Sequence, residues 1–189
     1  MKTDVADEDL MLAYQNGDAA SFDSLYARHK GPVYRYILRQ CKNEAIAEEL
    51  FQDVWMNLIK ARERYEVKAK FTTWLYQMTQ NRVIDHYRRQ KTAAGSALNK
   101  DDIEPDELLA RAKDEPEQQT QTDKKFRYLL HLLEQLPEEQ KQAFLLREEA
   151  GMNLDEIAQV TGVNPETAKS RLRYAINKLR QGLTEYDAK

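Results

Sequence analysis

Residues 153–180 read NLDEIAQVTGVNPETAKSRLRYAINKLR, and their punctuation decides the fold. Asn153 precedes an apolar-periodic run and Glu156 stands three places on, the pattern of a helix N-cap with a reciprocal acid. A short helix to Thr161 is expected, then a tight turn at Gly162-Val163. Asn164-Pro165 opens the next helix, with Asn164 as cap and Pro165 at the first helical position, where its missing N–H costs nothing. Two capped helices joined by a short glycine-bearing turn make a helix-turn-helix, whose second helix is built to enter the major groove of duplex DNA.

On that second helix Ala168, Leu172, Ala175, Ile176 and Leu179 form one apolar stripe that must pack inward. The other side presents Glu166, Ser170, Arg173 and Asn177, flanked by Thr167, Lys169, Arg171, Tyr174, Lys178 and Arg180. Five bases and one acid lie between Asn164 and Arg180. Arginine pairs bidentately with guanine, while lysine and the helix N-terminus suit phosphates. A basic face alone is a common solvated surface; joined to the double cap and turn, it points to DNA.

Upstream, a helix is expected over roughly Phe126–Leu136, and Pro137 starts another that ends before Gly151. Downstream, the last helix is expected to stop near Gln181, ahead of Gly182. Residues 124–185 therefore read as one small helical domain. Before it, residues 93–123 lose periodicity and carry Pro105, Pro116 and a polar tract. Nine acidic and three basic residues between Asn99 and Asp123 give that stretch a charge of −6, the composition of a flexible acidic linker.

Residues 1–92 form the other domain. Asn16-Gly17-Asp18 breaks a first helix, and Asp18 caps the next. Gly31-Pro32 marks an interruption or a kinked continuation. Ala47, Leu50, Phe51, Val54, Trp55, Leu58 and Ile59 keep the helical spacing without a gap, leaving Glu48, Glu49, Gln52, Asp53, Asn57 and Lys60 largely outside the stripe. A further periodic segment starts near Phe71 with Trp74, Leu75, Met78 and Ile84, and ends basic. From Lys68 to Lys91 there are six bases (Lys68, Lys70, Arg82, Arg88, Arg89, Lys91) against Asp85 alone, interleaved with Phe71, Trp74, Tyr76 and Tyr87. A positive groove with ring faces suits unpaired bases, each stacking contact contributing roughly 1–3 kcal/mol. Trp74, at helical spacing with Phe71, Leu75 and Met78, reads rather as core.

The whole chain is all-α in this reading, with 32% charged residues, few Gly and Pro, and a net charge of −3 that hides the basic segments. Cys41 is the single cysteine, so no internal disulfide forms, and His29, His86 and His131 show no ligand spacing. No cofactor or metal is expected. The acidic N-terminus lacks the apolar core of a signal peptide, and no apolar run reaches the roughly 20 residues that span a bilayer, so no membrane insertion and a cytoplasmic location are expected.

The residues also resemble a family. Leu136-Pro137-Glu138-Glu139, Ala143-Phe144, Leu154-Asp155-Glu156-Ile157-Ala158 and Thr167-Ala168-Lys169-Ser170-Arg171-Leu172 look like the C-terminal domain of extracytoplasmic-function sigma factors, and the likeness continues across residues 1–92. It implies a region 2 helical bundle over 1–92 and a region 4 helix-turn-helix bundle over 124–185. It implies core RNA polymerase and promoter DNA as partners, an anti-sigma factor as a further one, and a monomer when free. Glu166, Thr167, Lys169, Ser170, Arg171, Arg173 and Tyr174 are then expected on the duplex −35 element. Lys68, Lys70, Phe71, Asn81, Arg82, Asp85, Arg88 and Arg89 are expected on the single-stranded −10 element, where the loop 66–70 helps to choose a flipped base. Ala47–Trp55 resembles the polymerase-binding helix, so Glu49, Gln52, Asp53 and Asn57 are expected at core polymerase. Tyr174 and Ile176 stand where the family often carries further bases.

Two other classes compete. A two-domain helix-turn-helix regulator binding duplex on its own accounts for 124–189 equally well, but not for the basic, aromatic end of the first domain. An enzyme is disfavoured, because no nucleophile–base frame, phosphate loop or paired metal motif occurs.

Overall fold

The computed structural model describes residues 5–94 and 121–188. They are helical, with no strand among the described residues, and the chain divides into two compact units. The expected linker over 93–123 falls almost wholly outside the described residues.

The first unit holds α1 (Asp7–Gln15), α2 (Ala19–Cys41), α3 (Glu44–Ala61), a 3-10 turn (Arg62–Arg64) and α4 (Phe71–Ala94). Asp18 caps α2 as expected, its Oδ1 accepting from Ala20 N at 3.1 Å. Gly31-Pro32 does not interrupt α2. Proline inside a helix costs about 3 kcal/mol, but Val33, Tyr36 and Ile37 just beyond it are wholly buried and hold the helix continuous. Lys42 turns the chain at φ 56°, and Asn43 caps α3 through Ile46 N at 3.0 Å. Where α1, α2 and α3 meet sits an aromatic cluster in which Tyr26 meets Trp55 at 4.8 Å, Phe22 meets Tyr14 at 5.0 Å and Phe51 meets Tyr34 at 5.7 Å. Such edge and tilted pairs add to the area they bury.

The buried stripe of α4 runs through Phe71, Leu75, Thr79 and Val83. Ile84, expected on it, is instead 50% exposed, because one step beyond Val83 rotates it about 100° out of the stripe.

The second unit holds α5 (Gln121–Glu134), α6 (Glu138–Ala150), α7 (Leu154–Thr161) and α8 (Pro165–Asp187). The sequence reading placed the start of α5 five residues too late. It also ended α8 too early: the helix runs straight through Gly182, which is buried. A Cβ at Gly182 would come within 2.6 Å of the Leu132 side chain, so this glycine serves the close approach of α5 to α8 and not a helix stop. Beyond it Tyr128 stacks on Tyr186 at 4.7 Å and Lys125 pairs with Asp187 at 2.6 Å, extending the packing of α5 to the end of α8. Leu133, Leu136, Leu145, Leu146, Met152, Ile157, Ala168, Ala175 and Leu179 make the core.

Candidate nucleic-acid interfaces

In the second unit the helix-turn-helix is set by its caps. Asn153 Oδ1 accepts from Glu156 N at 3.0 Å while Glu156 Oε2 accepts from Asn153 N at 2.8 Å, the reciprocal box expected. Gly162 closes α7 at φ 67°, a conformation that suits a residue without Cβ, and Val163 N donates to Ala158 O at 3.0 Å. Asn164 Oδ1 then accepts from Thr167 N at 2.8 Å and α8 begins at Pro165. Arg147 Nη1 donates to Met152 O at 2.8 Å and ties the α6–α7 connection.

With Ala168, Ala175 and Leu179 buried, α8 turns Glu166, Lys169, Arg173, Tyr174 and Asn177 fully outward, and Thr167, Ser170 and Arg171 partly so. All seven residues expected at a duplex therefore reach the surface. The Arg173 guanidinium lies over the Tyr174 ring at 5.3 Å, which holds a planar donor and an exposed ring together. Lys169 lies 3.7 Å from Glu166, too loosely held and too exposed to be kept from a phosphate. Leu172 and Ile176, expected inside, are only half-buried: they floor an open groove of about 710 Å³ rimmed by Arg147, Lys169 and Arg173.

In the first unit the expected single-strand surface is only partly assembled. Asn81, Asp85 and Arg88 follow one another at helical spacing on α4, and Asn81, Arg88, Arg89 and Lys91 are exposed. Arg88 pairs with Asp85 at 3.1 Å, an exposed contact that yields easily. Lys68 and Lys70 are exposed in the loop before α4, where Lys68 meets Glu66 at 2.5 Å.

Three expectations change. Phe71 is wholly buried, touching His29 at 5.3 Å, so its ring is not open to a base. Tyr76 is likewise core, against Tyr36 at 5.2 Å. Arg82 is turned into the α3–α4 seam: its Nε donates to Asp53 Oδ2 at 2.7 Å and its Nη2 to the same oxygen, leaving the side chain 17% exposed. Tyr87 keeps some exposure, but its hydroxyl donates to Gln40 O at 2.9 Å. Trp74 is half-buried against Tyr65 at 4.9 Å. On α3, Glu49, Gln52 and Asn57 are exposed on one side with Met56, itself 50% exposed, while Asp53 is partly withdrawn by Arg82.

The sequence reading placed Val67 in the loop 66–70 without singling it out, and it is 53% exposed there; it missed the contacts that α1 makes to this loop. Gln15 Nε2 donates to Glu63 O and Tyr65 O, both at 3.1 Å, and Glu8 Oε1 accepts from Phe71 N at 2.6 Å. Burial, with the charges of Glu8 and Asp7, pushes the Tyr65 hydroxyl up to about 12. No group of three or more His, Cys, Asp or Glu side chains among the described residues is placed to hold a metal ion, and no described helix is long and apolar enough to cross a membrane.

Comparison with known proteins gives two family matches: Sigma-70 region 2 over residues 25–93 and Sigma-70, region 4 over residues 126–179. The chain is 29% identical to RNA polymerase sigma factor CarQ of Myxococcus xanthus, over 94% of this chain and 97% of CarQ. It is 32% identical to the ECF RNA polymerase sigma factor SigE of Mycolicibacterium smegmatis, over 92% of this chain and 65% of SigE. Among solved structures it resembles CnrH, determined in complex with the cytosolic domain of CnrY, at TM-score 0.68 and 20% identity, covering 96% of this chain and 99% of that one. That likeness concerns the fold.

Proposed function

Since the chain belongs to the sigma-70 family, in its extracytoplasmic-function branch, and is a sigma factor directing transcription with RNA polymerase, we propose that its two units divide the promoter between them. In this reading α8 docks in the major groove of the −35 element. Arg171 and Arg173 read bases, Glu166, Ser170 and Tyr174 line the same face, and Lys169 with Thr167 at the helix N-terminus holds phosphates. The single observation that carries this is the outward face of α8, fixed by the Asn153–Glu156 box and the Asn164 cap.

The first unit takes the melted −10 strand on Lys68, Lys70, Asn81, Arg88 and Arg89. Asp85 orients Arg88, and Arg82 acts by holding α4 against α3. The outward side of α3, with Glu49, Gln52, Asn57 and Met56, docks on core polymerase, and Asp53 contributes while tied to Arg82. One bound unit raises the effective concentration of the other at the promoter. The domain limits we assign are 1–92, 93–123 and 124–185.

The chain acts by binding, in the cytoplasm where its polymerase works, and we assign it no catalytic residue. An anti-sigma protein is included as a partner because the sigma factor RpoE of Bartonella quintana, whose fold this chain resembles at TM-score 0.66 and 18% identity, was solved in complex with the anti-sigma factor NepR. The test is whether purified chain and core polymerase form a holoenzyme that binds a promoter the chain alone binds poorly. A duplex regulator would shift the same DNA unaided.

A further inference from the structure

We propose that helix α1 is the positioning element of the loop 66–70, and that Gln15 and Glu8, by fixing the loop's two ends, set its base preference at the −10 element. This rests on the reading above that the loop faces the melted strand. Residues 7–15 lie outside both family matches, the first of which begins at residue 25.

The loop leaves the core at Tyr65, 4% exposed, and re-enters it at Phe71, 0% exposed. Between these anchors Val67 and Lys68 stand in solvent, and the turn is closed by Lys68 N donating to Glu66 O at 2.8 Å. Two residues of closure do not determine a five-residue path, so its course depends on where the ends are held. Both are held by α1: Gln15 grips the Glu63 and Tyr65 carbonyls, and Glu8 accepts the Phe71 N–H at the start of α4. Glu8 and Gln15 are seven residues apart, two turns on one face, so a rigid rise of about 10 Å sets the separation of their grips.

The rod is itself fixed. Asp7 takes Arg28 at 2.6 Å and His29 at 2.7 Å on α2, and Arg28 also donates to Val5 O at 2.7 Å. Leu10, Met11 and Tyr14 are buried beneath it, and the Arg62 guanidinium covers the Tyr14 ring at 5.3 Å. A loop whose ends are fixed before binding presents one shape to an incoming base and rejects others. Glu8 and Gln15 act through the loop; neither is assigned a contact with DNA.

The experiment uses full-length chain in holoenzyme with core polymerase: wild type, Glu8→Ala, Gln15→Ala and Glu8→Gln. Run-off transcription is read on one promoter library randomised in the −10 element and another randomised in the −35 element. Glu8→Ala and Gln15→Ala are expected to lower the ratio of best to second-best base at a −10 position by about fivefold, the size of one lost hydrogen bond, with −35 preference unchanged. Glu8→Gln keeps a carbonyl acceptor for Phe71 N and should restore the preference. In the free full chain, hydrogen exchange at the Phe71 amide should quicken in Glu8→Ala while the amides of α2 and α3 keep their protection. Should Glu8→Ala fail to fold, Gln15→Ala decides.

Unaltered −10 preference in Gln15→Ala and Glu8→Ala, whether output is unchanged or falls equally on every promoter, overturns the inference and leaves the sigma-factor reading standing. A wild-type holoenzyme with no −10 preference overturns the role given to the loop, and this inference with it.

Discussion

Arg82 on α4 and Asp53 on α3 form one charge-assisted tie, with Nε and Nη2 of the guanidinium converging on a single carboxylate oxygen, Nε at 2.7 Å. It joins the helix assigned to core polymerase to the helix assigned to the melted strand. Because Arg82 is mostly buried and Asp53 is 38% exposed, the pair is worth more than a surface bridge and less than a fully buried one. Arg82→Ala and Asp53→Ala are expected to be non-additive, with a coupling of about 1 kcal/mol in a double-mutant cycle of urea unfolding. Additive losses would show that the two side chains do not depend on each other.

The caps of the helix-turn-helix carry the second prediction. Asn153→Ala removes an acceptor for Glu156 N, and Asn164→Ala removes one for Thr167 N. Each should cost about 1 kcal/mol of stability in thermal unfolding. Asn164→Ala should also weaken −35 duplex binding by holoenzyme, since it frays the end of α8 assigned to DNA. Asn153→Ala should affect binding less.

Gly182→Ala tests the α5–α8 approach. Alanine gains about 1 kcal/mol of helix propensity over glycine, whereas forcing a methyl against Leu132 costs about 1–3 kcal/mol. A net loss in melting temperature is expected, and in a double-mutant cycle Gly182→Ala should cost less in the Leu132→Ala background, where the 2.6 Å contact is gone. A more stable Gly182→Ala would mean that the glycine is not needed for packing.

The Asp7 contacts on α2 give a pH dependence. Burial raises the Asp7 carboxyl, but the hydrogen bonds and charges of His29 and Arg28 outweigh it and hold the group below its ordinary range. A carboxylate depressed in the folded state stabilises the fold above its unfolded pKa and loses that contribution as pH falls through the folded one. The stability difference between wild type and Asp7→Asn should therefore close as pH drops from about 4 downward, measured by urea unfolding at each pH. A difference that stays constant through the acid range would contradict the assignment.

What was legible in the sequence was local. Asn153, Glu156, Gly162, Asn164 and Pro165 each act within a few residues, so the helix-turn-helix and its outward face follow from spacing alone. Gly182 misled because a helix stop and a close helix approach both call for a missing Cβ, and only the presence of Leu132 separates them. Phe71 and Tyr76 lie in a basic, aromatic run whose composition is the same whether a ring faces solvent or core. Arg82 finds Asp53 across 29 residues, and Glu8 and Gln15 reach Phe71 and Tyr65 across 63 and 50; no periodicity encodes such meetings.

The central claim is that α8 reads the −35 duplex while the first unit reads the melted −10 strand. It is tested most directly by run-off transcription from core polymerase reconstituted with the chain, on a promoter library, comparing wild type with Arg171→Ala and Arg173→Ala. Wild type should select start sites by both elements. Each arginine that reads a base should lose about 1–3 kcal/mol, relaxing preference at one −35 position and leaving −10 preference intact. Core polymerase that gains no start-site selection from the chain, or arginine variants that alter −10 preference and not −35, would contradict the account.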